Sequence, residues 1–229
     1  MSDSHAATAH HPELRHHFGD MEQQQNAASL GMWLFLVTEI MFFGGMFCAY
    51  LIYRLKYFND FAAASQSINV VWGAINTAVL LVSSWTMAMA VRCAQLGKRN
   101  LLIIFLIFTM IFGATFLGVK AKEYHDKYVE HHVPGPSYEF KDKLLGHSDY
   151  VPDQGHTQMF FSIYFAMTGM HALHMVIGLG LMTYLLLTAW RGKYSSAYYT
   201  PVENIGLYWH FVDVVWIYLF PLLYLISRK

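Results

Sequence analysis

Five ionisable side chains sit where the sequence is otherwise apolar, and their chemistry sets the first question. Glu39 interrupts Leu34-Phe35-Leu36-Val37-Thr38-Glu39-Ile40-Met41-Phe42-Phe43, and Asp213 interrupts Tyr208-Trp209-His210-Phe211-Val212-Asp213-Val214-Val215-Trp216. His171 and His174 lie in a third such run, and His210 shares the run of Asp213. A carboxylate at the centre of a spanning helix costs about 2.5–3.5 kcal/mol on insertion scales, so each acid must face protein or water. Buried acids and histidines of this kind transfer protons, hold metals, or hydrogen-bond one helix to another. On a helix, Glu203, Gly206, His210, Asp213 and Ile217 fall at offsets 0, 3, 7, 10 and 14 and share one face. His171, His174 and Gly178 form a similar stripe beside Thr168 and Gly169. No local partner for Glu39 is visible among Phe35, Leu36, Phe42 and Phe43, which leaves structural and proton-carrying roles open.

The metal and haem readings fail on spacing. Two histidines that share a haem must lie at matching depth on facing helices. At a rise of about 1.5 Å per residue, His210 lies about 8 Å from the shared end of the last two spans and His174 about 22 Å. A site on His171 and His174 lacks a third ligand at a suitable spacing. Cys48 and Cys93 lie in apolar runs and read as small buried side chains, not as a disulfide or a metal motif. The first 28 residues are polar and contain His5, His10, His11, His16 and His17, but nothing there fixes a ligand geometry. No basic stretch followed by a short apolar core and a cleavage site is present, so no signal peptide is evident.

The elements that position these residues follow from the charges. Of 229 residues, 13% are charged and 55% hydrophobic, against about 25% charged in soluble domains. This excludes a disordered chain, a nucleic-acid binder with a basic surface, and a disulfide-rich scaffold. Between Glu22 and Arg54 the only charge is Glu39; Asp60 to Arg92, Arg99 to Lys120 and Asp153 to Arg191 contain none; Glu203 to Arg228 contains only Asp213. Crossing about 30 Å of hydrocarbon takes about 20 apolar residues in a helix. The expected fold is therefore all-α, a polytopic membrane bundle of five transmembrane helices near 29–53, 70–91, 100–120, 157–189 and 205–226. The fourth run exceeds one crossing and is expected to tilt or to extend into water. A polar tail over 1–28 precedes the membrane domain over 29–229. A long polar loop over about 122–156, with Val133-Pro134-Gly135-Pro136, is expected to face partners. There is no internal repeat.

In this order, the motifs resemble subunit III of the haem-copper respiratory oxidases, the cytochrome c oxidase type, from Leu30 to Ile226. LFLVTEIMFFGGMFCAY carries the family's buried-glutamate helix, so Glu39 matches its carbodiimide-sensitive position. ATFLGVKAKEY supplies the family's Glu123 and Tyr124, with Lys120 in place of the usual glutamine. TGMHALHMVIG places Thr168, Gly169, His171 and His174 on the pattern, and YWHFVDVVW follows Glu203 at the family's distance.

The resemblance implies an accessory subunit without a catalytic centre or cofactor of its own. Haem and copper would lie in partners, the catalytic subunit I and the copper-containing subunit II, with other respiratory-complex subunits possible. Phospholipid would be bound, and proton uptake and turnover lifetime supported. Glu39, Glu123, His171, His174, Glu203, His210 and Asp213 would form lipid contacts or buried polar networks, Asp213 and His171 tying helices together. A quinol oxidase or nitric-oxide reductase subunit, or an independent proton-coupled transporter built on Glu39 and Asp213, are the alternatives. The transporter predicts a discontinuous helix at a substrate site.

Many family members have seven helices, and this chain matches from what looks like their third. The lipid cleft then needs a partner to complete it. Counting Lys and Arg puts six on the N-terminal side and nine opposite, which favours an outside N-terminus. The resemblance instead implies a bacterial plasma (inner) membrane protein with a cytoplasmic N-terminus, and that orientation is adopted here.

Overall fold

The computed structural model describes residues 14–136, 138–140, 150–196 and 198–226. Six helices follow in order: α1 Met21–Lys56, α2 Phe58–Gln66, α3 Val70–Gln95, α4 Arg99–Val129, α5 Gln154–Trp190 and α6 Thr200–Tyr224. All but α2 are long and apolar enough to cross a membrane. The five expected spans are present, as an all-α bundle.

Several boundaries differ from the sequence reading, for local reasons. Asp20 caps α1 by accepting from Gln23 N at 2.7 Å, so the helix begins at Met21, inside the polar tail expected over 1–28. Its 36 residues run about 54 Å, well beyond the hydrocarbon core. α2, in the short connection between the first two spans, was not anticipated. α4 continues to Val129, so the first eight residues of the expected loop are helical. Asp153 caps α5 through His156 N at 3.0 Å. His16 and His17 precede α1 and are exposed; His5, His10 and His11 lie outside the described residues.

Gly97, at φ +68°, and Gly192, at φ +76°, end α3 and α5. Each lets the chain reverse so that the next residue bonds back into the last turn, Lys98 N to Cys93 O at 2.9 Å and Lys193 N to Thr188 O at 3.2 Å. A side-chain-bearing residue is strained at these angles. Arg99, at the start of α4, donates to the carbonyls of Ala189 and Trp190 at the end of α5.

The core lies among α3, α4, α5 and α6, which pack in a closed circuit, with α1 against α5 and α6 and α2 against α5. Trp209 is fully buried at its centre, pressed on the backbones of Gly113 in α4 and Gly178 in α5. Its indole Nε1 donates to Ser83 Oγ on α3 at 3.0 Å, so one side chain contacts three neighbouring helices. α1 is the outlier. Only 17% of its apolar window is buried inside the chain, against 44% for α6. Leu34, Val37, Ile40 and Met41 are all exposed. Cys93 is buried as expected, but Cys48 is exposed, because it lies on this outer helix.

Candidate functional site

The predicted polar residues do not converge on one centre. They form separate groups, each joining different helices.

Glu39 has its partner across the bundle. Its Oε2 lies 3.0 Å from His174 Nε2 on α5, and His174 Nδ1 lies 2.8 Å from the carbonyl oxygen of Met170. Phe43 packs edge-on against the imidazole at 5.2 Å. The i,i+4 carbonyl below His174 sets its ring so that Nε2 points toward α1. That alignment could not be read from the residues around Glu39, because the partner is 135 positions away.

Glu123 anchors the densest network. Lys120 Nζ donates to Glu123 Oε2 at 2.9 Å, to Tyr164 Oη at 3.1 Å and to Tyr224 Oη at 2.8 Å. Both phenols donate to Glu123 Oε1, at 2.8 and 2.6 Å. All three ammonium protons and both carboxylate oxygens are therefore used, and α4, α5 and α6 are joined at one point. Tyr124 extends the network to Thr168 at 2.6 Å. Lys120 is only 4% exposed, so it is no loop cation. Lys127 is equally buried, and discounting both lowers the opposite-side count from nine to seven.

On α6, Glu203 accepts from Gln95 of α3 at 2.8 Å, and His210 Nδ1 pairs with Ser84 Oγ of α3 at 2.7 Å. These two residues, with Arg92, Tyr199 and Asn204, line a cavity of about 650 Å³ between α1, α3 and α6. The expected face of α6 holds as far as Asp213; Ile217 turns outward and is 41% exposed.

Asp213 and His171, the residues expected to tie helices together, are both buried. Neither ring nitrogen of His171 has a hydrogen-bond partner among the described residues, whereas the Asp213 carboxylate lies within hydrogen-bonding reach of the Ser84 side chain on α3. His171 instead packs between Phe116 and Trp216, at 5.4 and 5.2 Å. Glu39 faces α5, whereas Asp213 lies on α6 near Ser84 of α3, and both acids sit on unbroken helical segments. The discontinuous helix required by the transporter reading is not found around them.

One cluster escaped the sequence reading altogether. Asp60 of α2 accepts from Tyr150 Oη at 2.7 Å, from Asp153 N at 3.0 Å and from His156 Nδ1 at 2.8 Å. The imidazole of His156 stacks on Tyr57 at 3.7 Å. Partial burial and the neighbouring Asp60 carboxylate push the Tyr150 hydroxyl up to about 12. The only hint in the sequence was an acid just after a span and a histidine at the start of another. Among the described residues, no group of three or more His, Cys, Asp or Glu is placed to hold a metal ion.

A family model described as "Cytochrome c oxidase subunit III" matches residues 14–132 and 153–228. The internal unmatched stretch, 133–152, falls within the long loop. Cytochrome bo(3) ubiquinol oxidase subunit 3 of Pseudomonas aeruginosa is 28% identical over 225 residues, 98% of this chain and 96% of that one. A probable cytochrome c oxidase subunit 3 of Mycobacterium bovis is 30% identical over 201 residues, covering 88% and 89%. A probable quinol oxidase subunit 3 of Staphylococcus haemolyticus is 30% identical over 203 residues, covering 86% and 88%.

Proposed function

Because the chain belongs to the cytochrome c oxidase subunit III family, a multi-pass membrane subunit of haem-copper oxidases, we propose that it serves as a non-catalytic scaffold in such a complex. It would pack on the catalytic subunit I, beside a copper-containing subunit II. The haems and copper would belong to those partners, where cytochrome c or quinol delivers electrons. The observation that carries this reading is how the ionisable groups are used. Glu39, Glu123 and Glu203 are each bonded to a side chain, and the ties to His174 on α5, to Tyr164 and Tyr224 on α5 and α6, and from Glu203 to Gln95 on α3 cross between helices. Groups so engaged hold helices in register, while the exposed apolar side of α1 is available to partners and lipid.

Phospholipid binding is proposed at the 650 Å³ cavity. Arg92 supplies a cation, and Gln95, Asn204 and Thr200 supply neutral polar groups. Arg92 lies in the last turn of α3, at the depth of lipid headgroups. We place the protein in a bacterial plasma membrane, its N-terminus cytoplasmic, where it supports proton uptake by keeping the catalytic subunit's entry hydrated and lipid-sealed.

The decisive experiment is affinity purification through a tag on this chain. Haem and copper should co-purify. Oxidase from cells lacking the chain should keep a near-normal haem spectrum while losing activity sooner during turnover. A colourless, lone protein with transport activity would reject the scaffold, as would loss of a haem band on deletion.

A further inference from the structure

The hydrogen bonds of His174 determine how many protons the Glu39 pair holds. A backbone carbonyl can only accept, so the 2.8 Å contact to Met170 O requires a proton on His174 Nδ1. The 3.0 Å contact between Nε2 and Glu39 Oε2 requires one more proton between those two atoms. The pair is therefore neutral overall, whether written as carboxylate and imidazolium or as carboxylic acid and imidazole. In both forms the other carboxyl oxygen, Oε1, is left as an acceptor. It takes no hydrogen bond among the described residues.

This pair lies on a cavity of about 320 Å³ between α1, α5 and α6, whose other walls include Phe35, Ile177, Leu181 and Tyr208 and which reaches Asn204 near the start of α6. The rings of Phe35 and Tyr208 lie 6.0 Å apart, tilted by 35°, and that of Tyr208 stacks on His174 at 6.5 Å and 26°, giving aromatic walls. The Tyr208 hydroxyl is already donated to the carbonyl of His174 at 2.9 Å. Glu39 stands midway along α1, far from the headgroup layers. A phosphate-bearing headgroup at the Asn204 end does not reach the depth of the pair, and a neutral pair does not attract one.

From these features we propose that the groove binds a lipid-soluble molecule with a flat hydroxylated ring, the chemistry of a hydroquinone head. A ring hydroxyl donates to Glu39 Oε1, the ring lies along Phe35 and Tyr208, and the tail runs past Ile177 and Leu181 toward lipid. A donor is required, so the site discriminates against the same ring with its hydroxyls capped. The argument concerns binding alone and is independent of the scaffold role.

The test uses nanodiscs cut from membranes that contain the full chain, and a decyl-hydroquinone with a photoactivatable group on its tail. Labelling should map to α1 and α5 peptides lining the groove and be competed by unlabelled decyl-hydroquinone. The O,O-dimethyl ether should compete about tenfold less well, the loss expected for one hydrogen bond to a charged or polarised acceptor. Glu39→Leu should lower labelling by a similar factor. Ile177→Trp fills the groove from an exposed position and leaves Glu39 and His174 in place, so it should abolish labelling at unchanged protein level. Equal competition by the ether, labelling that both variants leave intact, or displacement by phospholipid alone would overturn the proposal.

Discussion

At the scale of single residues, a buried ion is tolerated only when its charged atoms find hydrogen-bonding partners. Lys120 and Glu123 meet that condition jointly, with Tyr164 and Tyr224 completing both shells. Removing either partner strands the other, which typically costs about 3–5 kcal/mol. We expect Lys120→Met and Glu123→Gln each to lower the unfolding midpoint in detergent, and the double variant to cost less than the two single losses combined. A double-mutant cycle with no coupling would contradict the network. Glu39→Gln should behave differently. The amide can donate to His174 Nε2 and so replace the shared proton, leaving complex yield close to wild type. His171 gives a third outcome. Without hydrogen bonds to lose, His171→Phe should cost less than about 1.5 kcal/mol, whereas His171→Ala opens a cavity and should cost about 2–4 kcal/mol. A large penalty for phenylalanine in thermal unfolding would reveal a polar partner of the ring.

At the scale of helices, the spacing between elements depends on which backbones come close. Trp209 fits between α4 and α5 only because positions 113 and 178 carry no side chain; an added Cβ at either would stand 2.8 Å from the indole. Gly178→Ala should therefore push α5 from α6 and cost about 1–3 kcal/mol, read as a lower unfolding temperature of the detergent-solubilised protein. The same change at Gly180, where nothing lies within 4 Å, should be silent or slightly stabilising. Asp20, Asn69 and Asp153 are residue types that begin helices, and each accepts a backbone N–H one turn in or less, yet the sequence reading started the first span at 29 without using the Asp20 cap. The length of α4 was missed as well. Lys122, Glu123, Asp126 and Lys127 read as a polar loop, yet i,i+3 pairs, Lys120 with Glu123 and Lys127 with Glu130, place the lysine charges against glutamates and keep the segment helical.

At the scale of the molecule, the exposed face of α1 separates groups that must avoid water from groups that need it. Met41, 74% exposed near the helix centre, should not accept a lysine; insertion scales put the penalty at about 2.5–3.5 kcal/mol, measurable as a reduced integrated fraction. Leu55, 81% exposed at the helix end, should accept it, because the longer side chain reaches the interface. Equal integration of both variants would mean that α1 is shielded from lipid along its whole length. The five spans, the membrane setting and the family motifs were all legible in the residues, because about 20 consecutive apolar positions satisfy a bilayer whatever their neighbours do. Only the tertiary structure decided which polar groups meet. Glu39 finds His174 across 135 positions, and Lys120 finds Tyr224 across 104, while His171 finds no hydrogen-bonding partner among the described residues. The physical reason is that hydropathy sets how deep a residue lies in the membrane, whereas a hydrogen bond of 3 Å also needs each helix's rotation and its neighbour, and those follow from packing around side chains such as Trp209.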